Sequence, residues 1–268
     1  MTFCVLVGGG IGRACAILFA KEGASGIFIA DLDFKASSDT LAECQAVATN
    51  KVFKGKAVKI DITREDYVHS VFIEVVQELG RIDYCVNCAG IGVQETTDIT
   101  SLSMAEFQRF IDINASGMFL VTKEASIIMR SQENQPVSTS NPGRGTTRGC
   151  IVNLASASSL IASHGVLPYT VSKHAAVGLT KNSALDNAAH GVRVNCVCPS
   201  WTNTPMVGKA VEGVEGLGDF IRQAVPMGRI AVPEEVADAV VFLCSPRSSY
   251  ITGCSLIIDG GTTLTAHR

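Results

Sequence analysis

Short apolar runs recur at residues 3–7, 26–30, 57–60, 82–86, 151–154, 192–197 and 255–258, bounded by Gly, Asp or Asn. Runs of this length without polar alternation predict strands buried on both faces. Between them the apolar positions take helical spacing. Val68, Val71, Phe72, Val75, Val76 and Leu79 trace one helix face, with Thr63-Arg64-Glu65-Asp66 as the cap at its start. Ser103-Met104-Ala105-Glu106 has capping-box spacing, and Pro233 followed by two Glu opens a further helix at its first position. Helices are also predicted over 13–22, 104–129 and 169–189. Alternation of such strands and helices predicts an α/β fold: a single Rossmann-type domain over 1–268, with a doubly wound parallel sheet of about seven strands and helices on both faces.

Two segments break the rhythm. Residues 132–148 carry Pro, Ser, Thr, Asn and Gly with almost no apolar side chain, and predict an exposed loop. Residues 207–218 set Gly208, Gly213, Gly216 and Gly218 among apolar residues such as Val211, Val214 and Leu217. That pattern fits a surface loop or a mobile lid. Its place after a candidate site favours a lid over 201–220.

Composition narrows the function classes. A chain of 268 residues, 47% hydrophobic, buries a large core and is not disordered. A net charge of −3 offers no basic stripe for nucleic acid, and no apolar run approaches the ~18 residues of a membrane span. The ten cysteines lie in strand-like or helix-like apolar stretches. Cys85-Val86-Asn87-Cys88 has CxxC spacing, but no second pair or His cluster accompanies it, so structural thiols are expected and no metal. The start, Met1-Thr2-Phe3-Cys4-Val5, has neither a basic segment nor a signal-like apolar region, which predicts a reduced, cytoplasmic protein.

Candidate chemistry sits at both ends of the chain. Val5-Leu6-Val7-Gly8-Gly9-Gly10-Ile11-Gly12 joins the first strand to a helix, whose N-terminal amides favour phosphate. Gly8, Gly10, Ile11 and Gly12 are the candidate contacts. Asp31 closes the second strand, where an acid bonds the adenosine ribose and repels a 2′-phosphate. NAD is therefore favoured, with NADP left open because Arg13 is near enough to compensate. Tyr169 and Lys173 stand four residues apart on one helix face. A neighbouring cation lowers a phenol pKa toward the range of a useful base, with NAD⁺ adding to the effect. Ser156 follows the 151–154 strand, where ligand sites of parallel sheets lie.

These residues together resemble the short-chain dehydrogenase/reductase family over essentially the whole length. The matching positions include Asn87-Cys88-Ala89-Gly90, Asp61, Asn114, Ser156, Tyr169, Lys173, Pro199-Ser200 with Thr204, and Ile251-Thr252-Gly253 leading to Asp259-Gly260-Gly261. The resemblance implies Tyr169 as general acid/base, Ser156 on the substrate oxygen, Lys173 on the nicotinamide ribose, and Asn114 holding a relay water. It further implies adenine contacts at Asp61 and Ile62, a cofactor channel past Asn87, Ala89 and Gly90, and carboxamide-side contacts at Pro199, Thr202 and Thr204. A homo-oligomer, dimer or tetramer, through the 104–129 and 169–189 helices is implied as well. His164 reads as a pocket rim, His174 as a surface or subunit contact, and Trp201 and Met206 as substrate-side wall.

Three departures from the family pattern stand out. The family's glycine loop is Thr-Gly-x-x-x-Gly-x-Gly; here either three residues are missing or the first strand shrinks to 1–4, and the longer strand favours the deletion. Ser200 replaces the usual Gly after Pro199, and the 132–148 loop is long. The function that follows is hydride transfer between NAD(H) and a secondary alcohol or ketone, the substrate being a hydrophobic, cyclic or polyketide-like small molecule. An NADPH-dependent ketone reductase is the nearest alternative. A non-catalytic binding protein with a damaged cofactor loop is the other, and the complete Asn114, Ser156, Tyr169, Lys173 set argues against it.

Overall fold

The computed structural model describes residues 2–6, 9–213 and 215–265. Its main sheet has seven parallel strands: β1 (Thr2–Leu6), β2 (Gly26–Asp31), β3 (Lys54–Lys59), β4 (Tyr84–Asn87), β7 (Gly149–Leu154), β8 (Val192–Pro199) and β9 (Ser255–Ile258). They lie in the order β3-β2-β1-β4-β7-β8-β9. Two short antiparallel strands, β5 (Gln135–Pro136) and β6 (Thr146–Thr147), form a separate hairpin. The helices are α1 (Gly10–Lys21), α2 (Phe34–Val47), α3 (Glu65–Leu79), α4 (Met104–Ile111), α5 (Met118–Ser131), α6 (Leu167–Ala188), α7 (Pro205–Gly213), α8 (Leu217–Ala224) and α9 (Pro233–Cys244).

Successive strand residues face opposite ways, so each strand feeds two cores. Ile27 and Ile29 of β2 join Ala14, Phe19, Val236 and Leu243 from α1 and α9 on one face. Phe28 and Ala30 join Val68, Phe72, Val121 and Met129 from α3 and α5 on the other. Continuous apolar strands are what two covered faces require. The strand bounds expected from sequence hold to within a few residues, the largest shift being the start of β3 at Lys54, where edge position tolerates Lys and Gly.

Several local expectations need correction. The cap expected from Thr63 is absent: its hydroxyl donates to Asp61 Oδ1 at 2.7 Å, and Arg64 occupies the cap position without a side-chain bond. Ser103 does cap α4 by accepting from Glu106 N, but Glu106 turns to Arg109 rather than closing a box. The helix expected over 104–129 is interrupted by a π-helical turn at Asp112–Gly117. The 207–218 segment is not a loop but the helices α7 and α8. Gly208 sits inside α7 without steric conflict, and Gly216, with φ +74, separates the two. Residues 132–148 are largely exposed, as their polarity predicts, yet they are anchored: Arg144 Nη2 donates to Ser249 Oγ at 2.9 Å and also reaches the Pro246 carbonyl.

β1 pairs with β2 and β4 through Leu6, opposite Ala30 and Asn87. α1 is described from Gly10, and the first strand does not shrink to 1–4. Val7 and Gly8 lie outside the described residues.

Met129 is fully buried between α5 and the sheet. Met129→Ala should lower unfolding free energy by about 2–5 kcal/mol through lost burial and the cavity left behind. Urea unfolding followed by circular dichroism reads this directly, and a change below about 1 kcal/mol would mean the site collapses around the gap.

Candidate active site

The chain order reverses between β1 and β4, and a cleft of about 510 Å³ opens at the carboxyl ends of the strands there. Gly9, Gly10, Ile11 and Gly12 form its floor at the N-terminus of α1. No side chain caps that helix, and its first turn holds no acid, so its leading amides face an anion without competition. Gly10 has φ +54, a left-handed backbone that favours glycine, and the Thr204 methyl lies 3.5 Å from where a Cβ would stand. Asp31, ending β2, lines the far side. Arg13, the cation that would favour a 2′-phosphate, is held instead by Glu43, with Nε donating to Oε1 at 2.8 Å.

The opposite end of the cleft, with the candidate catalytic residues, is assembled from three elements. Ser156 follows β7 and caps a short 3-10 turn, its Oγ accepting from Ser158 N at 3.1 Å. Ser159 in that turn donates through Oγ to the Lys173 carbonyl at 2.7 Å, fixing the turn to α6. On α6, Pro168 at the start lets the chain enter the helix directly before Tyr169. Lys173 is 4% exposed, and its Nζ donates to the Leu154 carbonyl at 2.9 Å. Burial pulls that ammonium down to about 8. Its Nζ stands 5.7 Å from the centre of the Tyr169 ring, and the edge of that ring meets Phe110 at 6.3 Å.

The lowering of the Tyr169 pKa expected from the Tyr-x-x-x-Lys spacing is not the direction found. Burial pushes the phenol above its usual value, and the Ser156 hydroxyl pulls the other way. The physical reason is desolvation, which disfavours the phenolate more than the neighbours on the protein restore it.

Asn114 occupies the π-helical turn, fully buried. Its Oδ1 accepts from Ile91 N at 2.8 Å, and its Nδ2 donates to the Ile91 carbonyl and to Ser172 Oγ. Asn114 therefore ties the segment after β4 to α6 one residue before Lys173. A Cβ on Gly90 would stand 3.0 Å from Asn114 Oδ1 and 3.6 Å from Lys173 Nζ, so a glycine keeps that gap open.

Of the residues singled out from sequence, Gly10, Ile11, Gly12, Asp31, Gly90, Ser156, Tyr169, Lys173, Pro199, Thr202, Thr204 and Met206 line this cleft. Others do not. His164 is exposed outside it, and Trp201 is half-buried behind Ser200 and Thr202, its carbonyl accepting from Ala231 N. Asp61 is held by Thr63, Ile62 packs against Gly117, and Ala89 packs on the α3 side of the sheet. Asn87 is buried beside β1 with Nδ2 on the Met118 carbonyl and, among the described residues, no partner for Oδ1. Gly8 lies outside the described residues. The cleft also includes residues that sequence reasoning missed: Cys88, Gln94, Arg109 and Lys209. Nothing in their spacing marks them, because the positions that converge here come from separate loops and helix ends.

Ser200, standing where the family has Gly, lines the cleft and donates through Oγ to the Asp259 carbonyl at 3.2 Å. Among the described residues, no helix is long and apolar enough to cross a membrane. The cysteines whose side chains are described are all free thiols.

Comparison with known proteins agrees with this architecture. The family model described as enoyl-(acyl carrier protein) reductase matches residues 7–263. The chain is 64% identical to short-chain dehydrogenase fogB of Aspergillus ruber, covering 98% of this chain and 97% of that one. It is 34% identical to the 2,5-dichloro-2,5-cyclohexadiene-1,4-diol dehydrogenase of Sphingobium indicum, covering 96% and 94%. The crystal structure of levodione reductase superposes with a TM-score of 0.86 at 30% identity, covering 98% of both chains. A match of this length, on a sheet of this order, makes the chain a member of the short-chain dehydrogenase/reductase family, an oxidoreductase that pairs NAD or NADP with a small-molecule substrate.

Proposed function

We propose that the protein moves a hydride between NAD(H) and a secondary alcohol or its ketone, the substrate being a hydrophobic, cyclic small molecule. The observation that carries this reading is the convergence of Ser156, Tyr169 and Lys173 on one cleft, with Asn114 directly behind Gly90. When bound, the nicotinamide supplies or accepts the hydride. The chain's own groups manage the proton and the orientation. Ser156 donates to the substrate oxygen and holds it against the Tyr169 hydroxyl. A phenol raised by burial is protonated at neutral pH, so it is ready to donate to a ketone oxygen as reduction proceeds. Alcohol oxidation runs the proton the other way and needs the phenol's proton removed. Lys173 binds the ribose next to it, and its ammonium stabilises the phenolate that forms. Asn114 sets the Ile91 backbone and the Ser172 hydroxyl around that ammonium and holds the relay to solvent.

Asp31 and the engagement of Arg13 by Glu43 support NAD over NADP. Met206, Val207, Ile91 and Val93 give the substrate side an apolar wall. The cyclic diol in the name of one relative is in keeping with such a substrate. We read the chain as one cofactor domain with α7 and α8 as its lid. Exposed Met104, Phe119, Ile127, Val171 and Leu185 on α4, α5 and α6 support assembly into a homo-oligomer through those helices.

Three outcomes test this reading. Assayed separately on cyclic secondary alcohols, NAD should support turnover at least about tenfold above NADP, the carboxylate at Asp31 repelling the extra phosphate. A preference for NADP would overturn the cofactor choice. Tyr169→Phe keeps the ring that packs on Phe110 and removes the proton carrier, so kcat should fall by about 10²–10⁴-fold with NADH affinity unchanged. A variant retaining more than about a tenth of the rate would remove Tyr169 from the proton transfer.

The third outcome concerns the short turn. Inserting Thr-Gly and one small residue between Val7 and Gly8 adds amides for the diphosphate and a hydroxyl to tie the loop to a neighbouring strand. Each charge-assisted bond contributes about 1.5–3 kcal/mol when fully made, so NAD binding should tighten by roughly tenfold or more. Calorimetric titration of both chains reads this, and equal affinities would show that the native turn already suffices.

A further inference from the structure

Three basic side chains line the cleft, and two of them are already engaged. Arg109 donates through Nε and Nη2 to the Glu106 carboxylate at 2.8 Å each. Lys173 is buried on the Leu154 carbonyl at the catalytic end. Arg13, beside the start of α1, is held by Glu43. Lys209 differs from all of these. It is exposed, lines the cleft, and makes no hydrogen bond or ion pair among the described residues.

Its place on α7 decides what it faces. Pro205, Met206 and Lys209 share one helix face, being three and four residues apart. The start of that helix is pinned to both rims of the cleft. Thr204 Cγ2 lies 3.5 Å from the Cβ position of Gly10, and Met206 Sδ lies 2.8 Å from that of Gly92. The helix therefore begins over the glycine turn, and Lys209 follows one turn later above the same opening. Glu212 lies one further turn along, with no hydrogen bond to Lys209 among the described residues.

Below that opening, no side chain caps α1 and its first turn holds no acid. A dinucleotide brings two negative charges there. Helix amides supply partial charge only. We propose that Lys209 binds the cofactor's diphosphate from the lid side, adding one full charge to the partial charges of the α1 amides. This rests on the cofactor reading given above. It also joins cofactor binding to the lid, because Met206 on the same helix forms the substrate-side wall.

The test uses the full chain and its Lys209→Met and Lys209→Arg variants, with NADH followed by fluorescence and ADP-ribose and adenosine as competitors. Lys209→Met should bind NADH and ADP-ribose about tenfold more weakly, as loss of one charge-assisted contact predicts, and Lys209→Arg should stay within about threefold of the parent. Adenosine, which has no phosphate, should bind all three alike. The gap between parent and Lys209→Met should narrow as salt is raised, since the site is open to solvent. Equal NADH affinity in parent and Lys209→Met overturns the proposal, and so does an equal loss for adenosine. A parent that binds neither NADH nor NADPH overturns the cofactor reading itself, which is a separate result. Superimposable thermal unfolding of the variants confirms that binding, not folding, is being compared.

Discussion

The reversal of chain order at the β1–β4 pair is the constraint on which the rest depends. Strands to one side lead outward through β2 to β3, and those to the other through β7 and β8 to β9. Their connections leave in opposite directions, which opens a crevice at the carboxyl ends of β1 and β4. Polar groups converge on that place: the bare N-terminus of α1, Asp31 at the end of β2, Ser156 after β7, and Ser200, Thr202 and Thr204 after β8. The apolar strands are what make the crevice rigid, because two packed faces leave the strand ends little freedom to move.

Much of this is legible in the sequence because burial on both faces leaves an unmistakable pattern. Ile27 to Ala30 and Ile151 to Leu154 read as strands from composition alone, and the Tyr169, Lys173 spacing places both groups on one helix face. What escapes is whatever depends on long-range closure. The helices α7 and α8 hide behind glycines, because a helix tolerates Gly208 when nothing crowds it, and local propensity does not report that. Thr63 has a capping residue's chemistry but spends its hydroxyl on Asp61. His164 and Trp201 sit near site residues in sequence and outside the cleft in space. Cys88, Arg109 and Lys209 reach it from the segment after β4, from α4 and from α7, whose meeting no linear spacing encodes.

Lys173 also sets burial against charge. Its buried ammonium, held down to about 8, donates to the Leu154 carbonyl. Below that pH the folded chain carries a charge it would rather keep in water, and the unfolded chain, with an ordinary lysine, does not pay that penalty. As pH rises from about 8 toward the unfolded value, the unfolded chain binds more protons and this strain on the fold is relieved. The tight packing of α6 against β8 and the Ser159 anchor are what hold the group in place despite it.

The π-helical turn at Asp112–Gly117 divides one long helix between two tasks. Above it, α4 directs Phe110 at the Tyr169 ring; below it, α5 directs Val121, Ala125 and Met129 into the sheet. An uninterrupted α-helix advances about 100° per residue, so it has one phase along its whole length. The extra residue in the π turn shifts that phase by one fixed step. Asn114 sits at the step. Phe110 can therefore face the Tyr169 ring while Val121, Ala125 and Met129 still face the sheet, so losing the one inserted residue would rotate one of the two surfaces out of place.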